Sequence, residues 1–575
     1  MSARPVFPFP DLTRRRFIRG AAAVGALGFA PWPLRTALAA PATVLSGTEF
    51  ALTIEDVSLT INGRQATATG VNGQVPAPIL RWREGDTLTL AVTNRLREPS
   101  SIHWHGVRTP SPMDGVPGLS FRGIAPGETY VYRFPVRQSG TYWYHSHSMF
   151  QEQTGLYGAI VIEPKGGYAQ GFDRDYVVLL SDWSFEPPER IVSNLKFQSN
   201  YYNYGQRTLG TFLDDAQRNG LADTVADRLE WGKMRMSPTD ILDVSGATYA
   251  YLINGQAPAA NWTALFRPGE RVRLRFINGS AMSIFDVRVD GLPMTVVQAD
   301  GNDVAPVTVD ELRISVAETY DVIVQPASDD AYTIFAQAED RTGCARGTLA
   351  PRAGMAAPIP PMDPRPLRTM TDMGMGRMQH GSMSGMDHGA MPGMNHGPMA
   401  GMEMSPDASR LQGSVGVDNV AEMPTERLDR AGEGFPPGRR VLSYADLRAL
   451  KPGGDPRPPT REITLHLTGN MEHFIWGFDG KKFSEAEPII LQRGERVRFV
   501  LINNSMMEHP IHLHGLWSEL DNGHGEYRPY KHTINVKPGE KLSYLVTADE
   551  PGRWAYHCHL LYHMEMGMFR EVRVS

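Results

Sequence analysis

The sequence predicts an all-β protein built from three similar β-sandwich domains. Gly contributes 57 and Pro 44 of the 575 residues, which suits short strands joined by turns better than a helical bundle. A Gly-acid turn followed by an alternating run occurs three times, with the runs at 87–92, 272–276 and 497–500. Period-two alternation after turn residues indicates strands that bury one face. We therefore expect the three domains near residues 44–165, 170–345 and 440–575.

Residues 1–40 precede the first domain and have the order of an export signal. A basic stretch at 13–19 is followed by an apolar run at 20–30 and by small residues at 37–39 that suit a cleavage site. The arginine pair in the basic stretch resembles a twin-arginine signal, with an ordinary secretory signal as the alternative. The apolar run is too short to span a bilayer, and no later segment is long enough. We expect export by the twin-arginine machinery, a periplasmic location and no stable membrane span.

Charge and cysteine content exclude two classes of protein. The formal net charge is −6, so the chain lacks the basic footprint of a nucleic-acid-binding protein. Only two cysteines occur, Cys344 and Cys558, which excludes a scaffold held together by several disulfides. We expect Cys344 to be a free thiol without a catalytic role.

The histidines are concentrated in four short clusters. Ten of the seventeen fall there, all within the first and third predicted domains. They are His103 and His105; His145 and His147; His509, His512 and His514; and His557, His559 and His563. Residues two apart on a strand face the same side, so each His-x-His pair presents two imidazoles together. Four such pairs from two facing domains place eight ring nitrogens around one space, and imidazole suits copper, iron, zinc and nickel.

Cys558 stands between two histidines of the last cluster, so its sulfur points to the opposite face of the strand. With His509, His563 and a weak axial Met568 it makes the ligand set of an electron-transfer copper. A four-coordinate zinc site would explain too few of these residues. Dinuclear iron usually brings carboxylates, which the clusters lack. The sequence therefore predicts two metal sites back to back, while the middle domain, which has no histidine, is expected to be a spacer.

Residues 350–435 are rich in Pro, Gly, Met and Ser and lack strand periodicity. We expect this linker to be a mobile, disordered, Met-rich insertion before the third domain. Three eight-residue repeats at 379–402 each carry one histidine and two methionines. Thioethers favour Cu(I), so we expect the segment to gather copper, with auxiliary ligands at His380, His388 and His396. Core packing is the alternative, although the Gly and Pro content opposes a regular helix.

The four histidine clusters resemble the four copper signatures of the multicopper oxidases, and the resemblance covers nearly the whole chain outside the signal and the linker. It implies three cupredoxin domains and four copper ions, namely one type 1, one type 2 and two type 3. In that family the type 1 copper takes electrons from a reductant and the trinuclear cluster reduces dioxygen to water. The signal and the Met-rich segment make the chain look most like the periplasmic copper-resistance oxidases of bacteria.

The resemblance also implies a role for each ligand. The type 1 ligands would be His509, Cys558 and His563, with Met568 axial. The type 2 ligands would be His103 and His512. One type 3 copper would be held by His105, His145 and His559, and the other by His147, His514 and His557.

The reaction that the resemblance implies is one-electron oxidation of Cu(I) coupled to four-electron reduction of dioxygen to water, serving copper tolerance. Two alternatives remain open, a laccase-like phenol oxidase and a copper-sequestering protein. A broad pocket beside His509 and His563 would favour the phenol oxidase. The expected partners are dioxygen and Cu(I) or another small reducing substrate.

Catalysis is expected to depend on Cys558 with its neighbours His557 and His559, and on protons delivered to the reduced oxygen. Asp114, shortly after the first cluster, is a candidate proton carrier, and a simple Asp-Gly turn is the alternative. Some cuprous oxidases have an acidic residue directly after the last type 1 histidine. That position is Met564 here, which puts proton delivery by that route in doubt.

The remaining histidines of the third domain fit no cluster, and we expect solvent or structural roles for His466, His473, His524 and His532. Met506 and Met507 lie just before His509. They could line an approach for copper or pack in its wall.

Overall fold

A computed structural model of the protein describes residues 43–375 and 410–575. These residues form six principal sheets, arranged as three β-sandwiches. The predicted all-β fold of three cupredoxin-like domains is therefore confirmed. The predicted signal and the methionine repeats lie outside the described residues. Of the helices in the described ranges, none has the length and apolar character needed to cross a membrane.

The first domain brings the first two histidine clusters side by side. Its strands are β1 (Val44–Ser46), β2 (Glu49–Ile61), β3 (Arg64–Val71), β4 (Ala77–Arg83), β5 (Thr87–Asn94), β6 (His103–His105), β7 (Thr129–Pro135), β8 (Gly140–His145) and β9 (Tyr157–Glu163). One sheet has the order β3-β2-β5-β7 and the other β1-β4-β9-β8-β6. Every second residue of β5 is buried, as the alternating run predicts. The pairing of β6 with β8 sets His103 opposite His145.

The second domain repeats this architecture without histidine. Its strands are β10 (Arg174–Ser184), β11 (Tyr249–Ile253), β12 (Trp262–Leu265), β13 (Val272–Asn278), β14 (Phe285–Val289), β15 (Met294–Ala299), β16 (Asn302–Val309), β17 (Leu312–Ile314), β18 (Thr319–Val324), β19 (Tyr332–Ala338) and β20 (Cys344–Ala350). The sheets have the orders β11-β10-β13-β18-β15-β16 and β12-β20-β19-β14-β17.

A helical insertion, absent from our sequence prediction, separates β10 from β11. It consists of α1 (Pro188–Phe197), α2 (Leu209–Asn219) and α3 (Leu221–Lys233). Proline occupies the first position of α1, where a missing N–H costs nothing. The hydroxyl of Thr208 caps α2 by accepting from the Thr211 N–H at 3.3 Å.

The third domain places its two histidine clusters on two adjacent strands and in the residues that follow them. Its elements are β21 (Arg461–Asn470), β22 (Ile475–Phe478), β23 (Ile489–Leu491), β24 (Arg496–Asn503), β25 (His509–Leu513), β26 (Ser518–Leu520), β27 (Tyr530–Lys531), β28 (Thr533–Val536), β29 (Lys541–Thr547), β30 (Gly552–Cys558), α4 (Leu561–Glu565) and β31 (Phe569–Val574). The sheets have the orders β22-β21-β24-β29-β26-β27 and β23-β31-β30-β25-β28. Antiparallel pairing of β25 with β30 sets His512 opposite His557.

The internal repeat extends to one buried asparagine in each domain. Asn94, Asn278 and Asn503 end β5, β13 and β24. Each Nδ2 donates to two backbone carbonyls at 2.7–3.0 Å. Each Oδ1 accepts from the backbone N–H two residues further on. The loops that lead to β6, β14 and β25 therefore start from the same local structure, and only the first and third lead to histidines.

The described flanks of the predicted linker pack against the second and third domains. Arg368 is 2% exposed, and its guanidinium pairs with Glu339 and Glu433. Met373 is buried, and the backbone N–H of Asp418 donates to a carbonyl of β21 at 2.9 Å. These flanks belong to the packed structure, which their composition did not indicate.

Candidate metal centre

The eight histidines of the His-x-His pairs come together where the first and third domains meet. Four come from β6, β8 and the residues just after β8, and the others come from β25, β30 and the residues just after them. Rings from the two domains interleave, because His103 stacks on His514 with centroids 3.9 Å apart and His105 stacks on His512 at 3.8 Å. Seven of the eight are at most 2% exposed, and His147 is partly buried.

Three of these rings bring their Nε2 atoms close together. Nε2 of His557 lies 3.0 Å from Nε2 of His514 and 3.4 Å from Nε2 of His147. Two rings are held from outside, since Nδ1 of His514 donates to Asp114 Oδ2 at 2.8 Å and Nδ1 of His557 donates to the Cys558 carbonyl at 2.9 Å. With those protons on the outer nitrogens, nitrogen lone pairs face one another. This arrangement is unfavourable alone and suits a cation at its centre.

Five more histidines have a buried ring nitrogen that lacks a hydrogen-bond partner within the described ranges. These nitrogens include Nε2 of His103, His145, His512 and His559, and Nδ1 of His105. The opposite nitrogen is engaged in two clear cases: Nδ1 of His103 donates to the Asp114 carbonyl at 2.7 Å, and Nδ1 of His512 donates to the His532 carbonyl at 2.5 Å. Buried polar atoms normally have a partner. Copper ions would supply it, so this donor set fits a trinuclear copper cluster.

A second group of donors surrounds the cysteine. Sγ of Cys558 is 3.5 Å from Nδ1 of His509 and 3.8 Å from Nδ1 of His563, and those nitrogens are 3.2 Å apart. The outer Nε2 atoms are held by Ser505 Oγ at 2.6 Å and by Asp243 Oδ2 at 2.7 Å. Two imidazoles and a thiol, with Nδ1 turned toward the sulfur, fit an electron-transfer copper.

Met568 lies beside this second group. Its N–H donates to the His563 carbonyl at 3.0 Å, and its carbonyl accepts from the Cys558 N–H at 3.1 Å. The side chain is fully buried in the core that contains the cysteine. The indole of Trp476 stacks on His563, with ring centroids 3.7 Å apart. Apolar and aromatic side chains therefore enclose the group.

One strand, β30, serves both groups of donors. Its last residues, His557 and Cys558, pair with His512 and Ile511 of β25. The Cys558 thiol contacts His509 on one side of the strand, and the His557 imidazole contacts His514 of the other group. Peptide bonds thus connect the two groups directly, as the strand period predicts.

Burial sets the protonation of these side chains. It lowers the pKa of His557 to about 3 and lowers the pKa of the other affected ligand histidines well below the ordinary value. Neutral rings keep a lone pair available for a metal at pH 7. Burial also raises the pKa of the Cys558 thiol far above its usual range. The thiol therefore keeps its proton until a cation replaces it.

Asp114, the candidate proton carrier, is 1% exposed and contacts two rings. Its carboxylate accepts from His514, and its carbonyl accepts from His103. These bonds orient both imidazoles. Proton transfer by Asp114 remains a prediction.

Sequence reasoning missed four side chains around the two groups. Asp243 belongs to the second domain, which we expected to be only a spacer, and Trp476 belongs to β22. His532, assigned to no cluster, is buried with Nδ1 3.1 Å from Nε2 of His105. Glu152 follows β8 and touches a ring of that strand. No local spacing marks these residues, because the packing of domains brings them to the centre.

The other singled-out residues have ordinary surroundings. A ring nitrogen of His466 lies 3.0 Å from the Asn504 carboxamide, and His524 Nε2 donates to a backbone carbonyl at 2.8 Å. Cys344 is a free thiol. Met506 and Met507 are 1% exposed and pack in the core around Cys558.

A cavity of about 480 Å³ reaches His147 at the edge of the imidazole cluster. Its walls include Pro117, Leu119, Phe483 and Met566. Small molecules of the size of dioxygen and water can therefore approach this ring.

Comparisons with known proteins agree along the whole chain. Three multicopper oxidase domain families match residues 53–167, 174–353 and 456–575. The chain is 56% identical to copper resistance protein A of Pseudomonas syringae pv. tomato, over 98% of this chain and 99% of that protein. It is 54% identical to copper resistance protein A of Escherichia coli over the same shares. Among solved structures, Fet3p, a multicopper oxidase that functions in iron import, matches with a TM-score of 0.64 at 19% identity, covering 92% of this chain and 91% of that one.

These identities extend over nearly the full length of both relatives, and the two groups of donors accommodate the copper complement of one family. That complement is four ions, one of type 1, one of type 2 and two of type 3. The predicted resemblance is confirmed: the chain belongs to the multicopper oxidases, oxidoreductases that use dioxygen as the electron acceptor.

Proposed function

We propose that this protein oxidises Cu(I) to Cu(II) at the expense of dioxygen and thereby serves copper tolerance. Copper held by the cysteine group would supply one-electron uptake from the reductant, and copper held by the eight imidazoles would supply the four-electron reduction of dioxygen. The balance is four Cu(I), one dioxygen and four protons giving four Cu(II) and two waters. The names of the two copper resistance relatives support the role in tolerance. Cu(I) is the more toxic and membrane-permeant form, so its oxidation protects the cell.

We propose the ligand assignment that the family resemblance implies. Type 1 copper would be held by His509, Cys558, His563 and, axially, Met568. Type 2 copper would be held by His103 and His512. The two type 3 coppers would be held by His105, His145 and His559, and by His147, His514 and His557. The unpartnered and converging ring nitrogens support this assignment.

The enclosure of the type 1 residues is the observation that favours Cu(I) over a phenol. His509 and His563 are 0% exposed, so neither presents the open imidazole edge that a broad phenol pocket would need. Ser505 and Asp243 hold their outer nitrogens in place and leave Nδ1 free for copper. A phenol needs a cleft that exposes a ring edge of one of these histidines. A small ion does not need such a cleft.

Methionines near the type 1 residues also support Cu(I). Met471, Met506 and Met507 are buried in the same core, and Met370 and Met375 pack against it. The described flank at 370–375 therefore packs against the same large hydrophobic core that contains Cys558 and Met568. The repeats that would gather copper, with His380, His388 and His396, lie outside the described residues. Thioethers stabilise Cu(I) relative to Cu(II).

Export would place the enzyme in the periplasm. We propose that residues 1–40 engage the twin-arginine machinery, which carries folded proteins. The double substitution Arg14→Lys with Arg15→Lys keeps the positive charge and should leave the protein in the cytoplasm, as cell fractionation would reveal. Normal periplasmic recovery would favour an ordinary secretory signal instead.

Oxygen uptake by copper-loaded protein tests the proposed substrate. Cu(I) should be oxidised faster than a phenol supplied at equal concentration. Faster uptake with the phenol would favour a laccase-like oxidase. Many weakly held copper ions without oxygen uptake would favour a sequestering protein.

The role of the Met-rich segment is tested by deletion. Removing 370–404 should slow Cu(I) oxidation at limiting copper and spare phenol oxidation. Because Met373 is packed into the fold, a shorter deletion of 379–402 is the sharper variant. Equal losses on both substrates would contradict a copper-gathering role.

A further inference from the structure

Glu152 is a buried carboxylate that reaches one imidazole from each of the two metal-binding domains. It lies in the turn between β8 and β9 and is 3% exposed. Oε2 is 2.6 Å from Nδ1 of His145, and Oε1 is 3.9 Å from Nδ1 of His559. These two rings are the imidazoles that its carboxyl oxygens approach within the part of the chain that the structure describes.

Several polar atoms around Glu152 lack a hydrogen-bond partner among the described residues. Nδ1 of His145 is shared between Glu152 and the Ser146 carbonyl, which lies 2.9 Å away. Oε1 of Glu152 and both ring nitrogens of His559 are buried and have no hydrogen-bond partner among described residues. Burying such atoms costs free energy unless something compensates. A copper on the inner nitrogens would complete both rings and direct their outer N–H groups toward the carboxylate.

Asp114 makes the same kind of bridge elsewhere in the centre. Its Oδ2 is 2.8 Å from Nδ1 of His514, and its Oδ1 is 3.4 Å from Nδ1 of His103. Each bridge joins one ring from the first domain to one from the third. The first domain therefore supplies two carboxylates that span the interface at separate places.

The turn that carries Glu152 is held in position by buried hydrogen bonds. Oε1 of Gln151 accepts from the hydroxyls of Ser100 at 2.6 Å and Ser146 at 2.9 Å, and its Nε2 donates to the Pro99 carbonyl at 3.0 Å. A fixed turn keeps the carboxylate behind the rings. Such preorganisation is typical of groups that orient metal ligands.

We propose that Glu152 is a positioning residue that turns His145 and His559 toward one type 3 copper and joins the first domain to the third there. This inference rests on the proposed ligand assignment. Loss of a carboxylate behind a metal-bound imidazole typically costs about 10–100-fold in metal affinity or activity. The type 1 residues have their own partners, Ser505 and Asp243, and do not depend on Glu152.

The test compares Glu152→Ala and Glu152→Gln with the control Glu98→Gln. Glu98 accepts from Gln151 Nε2 at 3.2 Å, so it supports the same turn without touching an imidazole. The measurements are copper content at limiting copper, the near-ultraviolet absorption of the coupled type 3 pair, and the visible thiolate-to-copper band. Glu152→Ala should lower cluster affinity about 10–100-fold and weaken the near-ultraviolet band, with the visible band intact. Glu152→Gln should have a smaller effect in the same direction, and Glu98→Gln should match the wild type.

Wild-type copper affinity and near-ultraviolet absorption in Glu152→Ala would overturn the inference. An equal effect of Glu98→Gln would also overturn it, because the turn rather than the carboxylate would then matter. If the alanine variant does not fold, the isosteric glutamine variant decides, and wild-type affinity there refutes the role. A wild-type protein that never takes up four coppers would instead refute the ligand assignment, so the two failures are distinguishable.

Discussion

The second and third domains share one arrangement of strands, but they differ in what pairs with their buried polar side chains. β14 lies between β17 and β19 as β25 lies between β28 and β30. In the second domain, Arg313 of β17 pairs with Asp286 at 2.8 Å and with Glu339 at 3.1 Å. On and just after β25 and β30 the buried polar side chains are imidazoles, and those of His512 and His559 have ring nitrogens without a hydrogen-bond partner among described residues. In this part of the second domain, side chains of opposite charge neutralise one another, whereas at the matching place in the third domain imidazole nitrogens are left available to a metal.

The contrast also corrects the expectation that the second domain is a passive spacer. It supplies Asp243 to His563. It also holds Glu508, the residue before the type 1 His509, through Arg313 at 3.1 Å. Burial opposes ionisation of Glu508, but Arg313 and its neighbouring guanidinium hold the pKa of that carboxyl at about 2. The second domain thus fixes the backbone from which the type 1 site begins.

Removing the thiolate should break the third domain's function most completely. Cys558→Ser is expected to abolish the visible thiolate-to-copper band and reduce oxygen uptake with Cu(I) by more than about 100-fold, beyond the loss of a ligand's outer partner. The fold should survive because the side chain is nearly isosteric. Cys344→Ser, at the other free thiol, should change neither readout. A normal visible band in Cys558→Ser would refute the type 1 assignment.

Removing a charge from the second domain should cost stability whether or not metal is present. Arg313→Met removes the guanidinium that Asp286, Glu339 and Glu508 share. Arg341 and Arg368 still pair with these carboxylates, so we expect a cost toward the lower end of about 3–5 kcal/mol in the free energy of unfolding. Urea denaturation would measure it. The matched control is Arg352→Met, whose exposed pair with Asp329 should be worth under about 1 kcal/mol. Equal losses of stability in the two variants would contradict the importance of the buried ion pairs of Arg313.

In the metal-free protein, the buried histidines and the ion-paired carboxylates should lose their contributions to stability over different pH ranges. The folded-state pKa of His557, about 3, lies below its ordinary 6.5, so the unfolded chain binds more protons as the pH falls below about 6.5. Stability should therefore decline from pH 7 to pH 5. The paired Glu508 contributes stability that is lost only below its ordinary 4.5, toward about 2. Burial raises the pKa of Asp243 and Glu565 to about 7 and raises the pKa values of Glu152, Asp240 and Glu339 as well, and these carboxyl groups act in the opposite direction. The nine lowered histidines outnumber them, so the net effect expected is a loss of stability.

The urea midpoint of metal-free protein at pH 7 and pH 5 checks this expectation. Copper-loaded protein is the control and should lose less, because bound metal excludes protons from the same nitrogens. A metal-free midpoint independent of pH over this interval would contradict it.

The smallest effect is expected where the second domain touches the type 1 group. Asp243→Asn keeps an oxygen that can accept from His563 Nε2, so the visible band should persist and turnover should fall by at most about 10-fold. Asp243→Ala removes the acceptor and should have the larger effect. Stopped-flow reduction of the visible band by Cu(I) would measure both. A greater loss in the asparagine variant would mean that charge matters more than ring orientation.

Local patterns made much of this structure predictable. Alternation gives strands such as β5, and the two-residue spacing of His557 and His559 predicts that both lie on the face opposite Cys558. The i, i+4 apolar spacing of Ile191 and Leu195 is a signal of α1 that our reading overlooked. Glu152 and Asp243 had no such signal, because their positions depend on how separate domains pack. The spacing of residues predicts which side chains share a face of a strand. It does not predict which loop of another domain will contact that face.

The order of the donors along the chain constrains when the enzyme can mature. Half of the imidazoles come from strands made early in translation, and the other half come from strands made after the whole second domain and the linker. A partly synthesised polypeptide can therefore offer no trinuclear pocket, however well its first sandwich has folded. Filling of the trinuclear centre would therefore follow interdomain docking, and a truncated product of the ribosome would leave the early imidazoles without their partners.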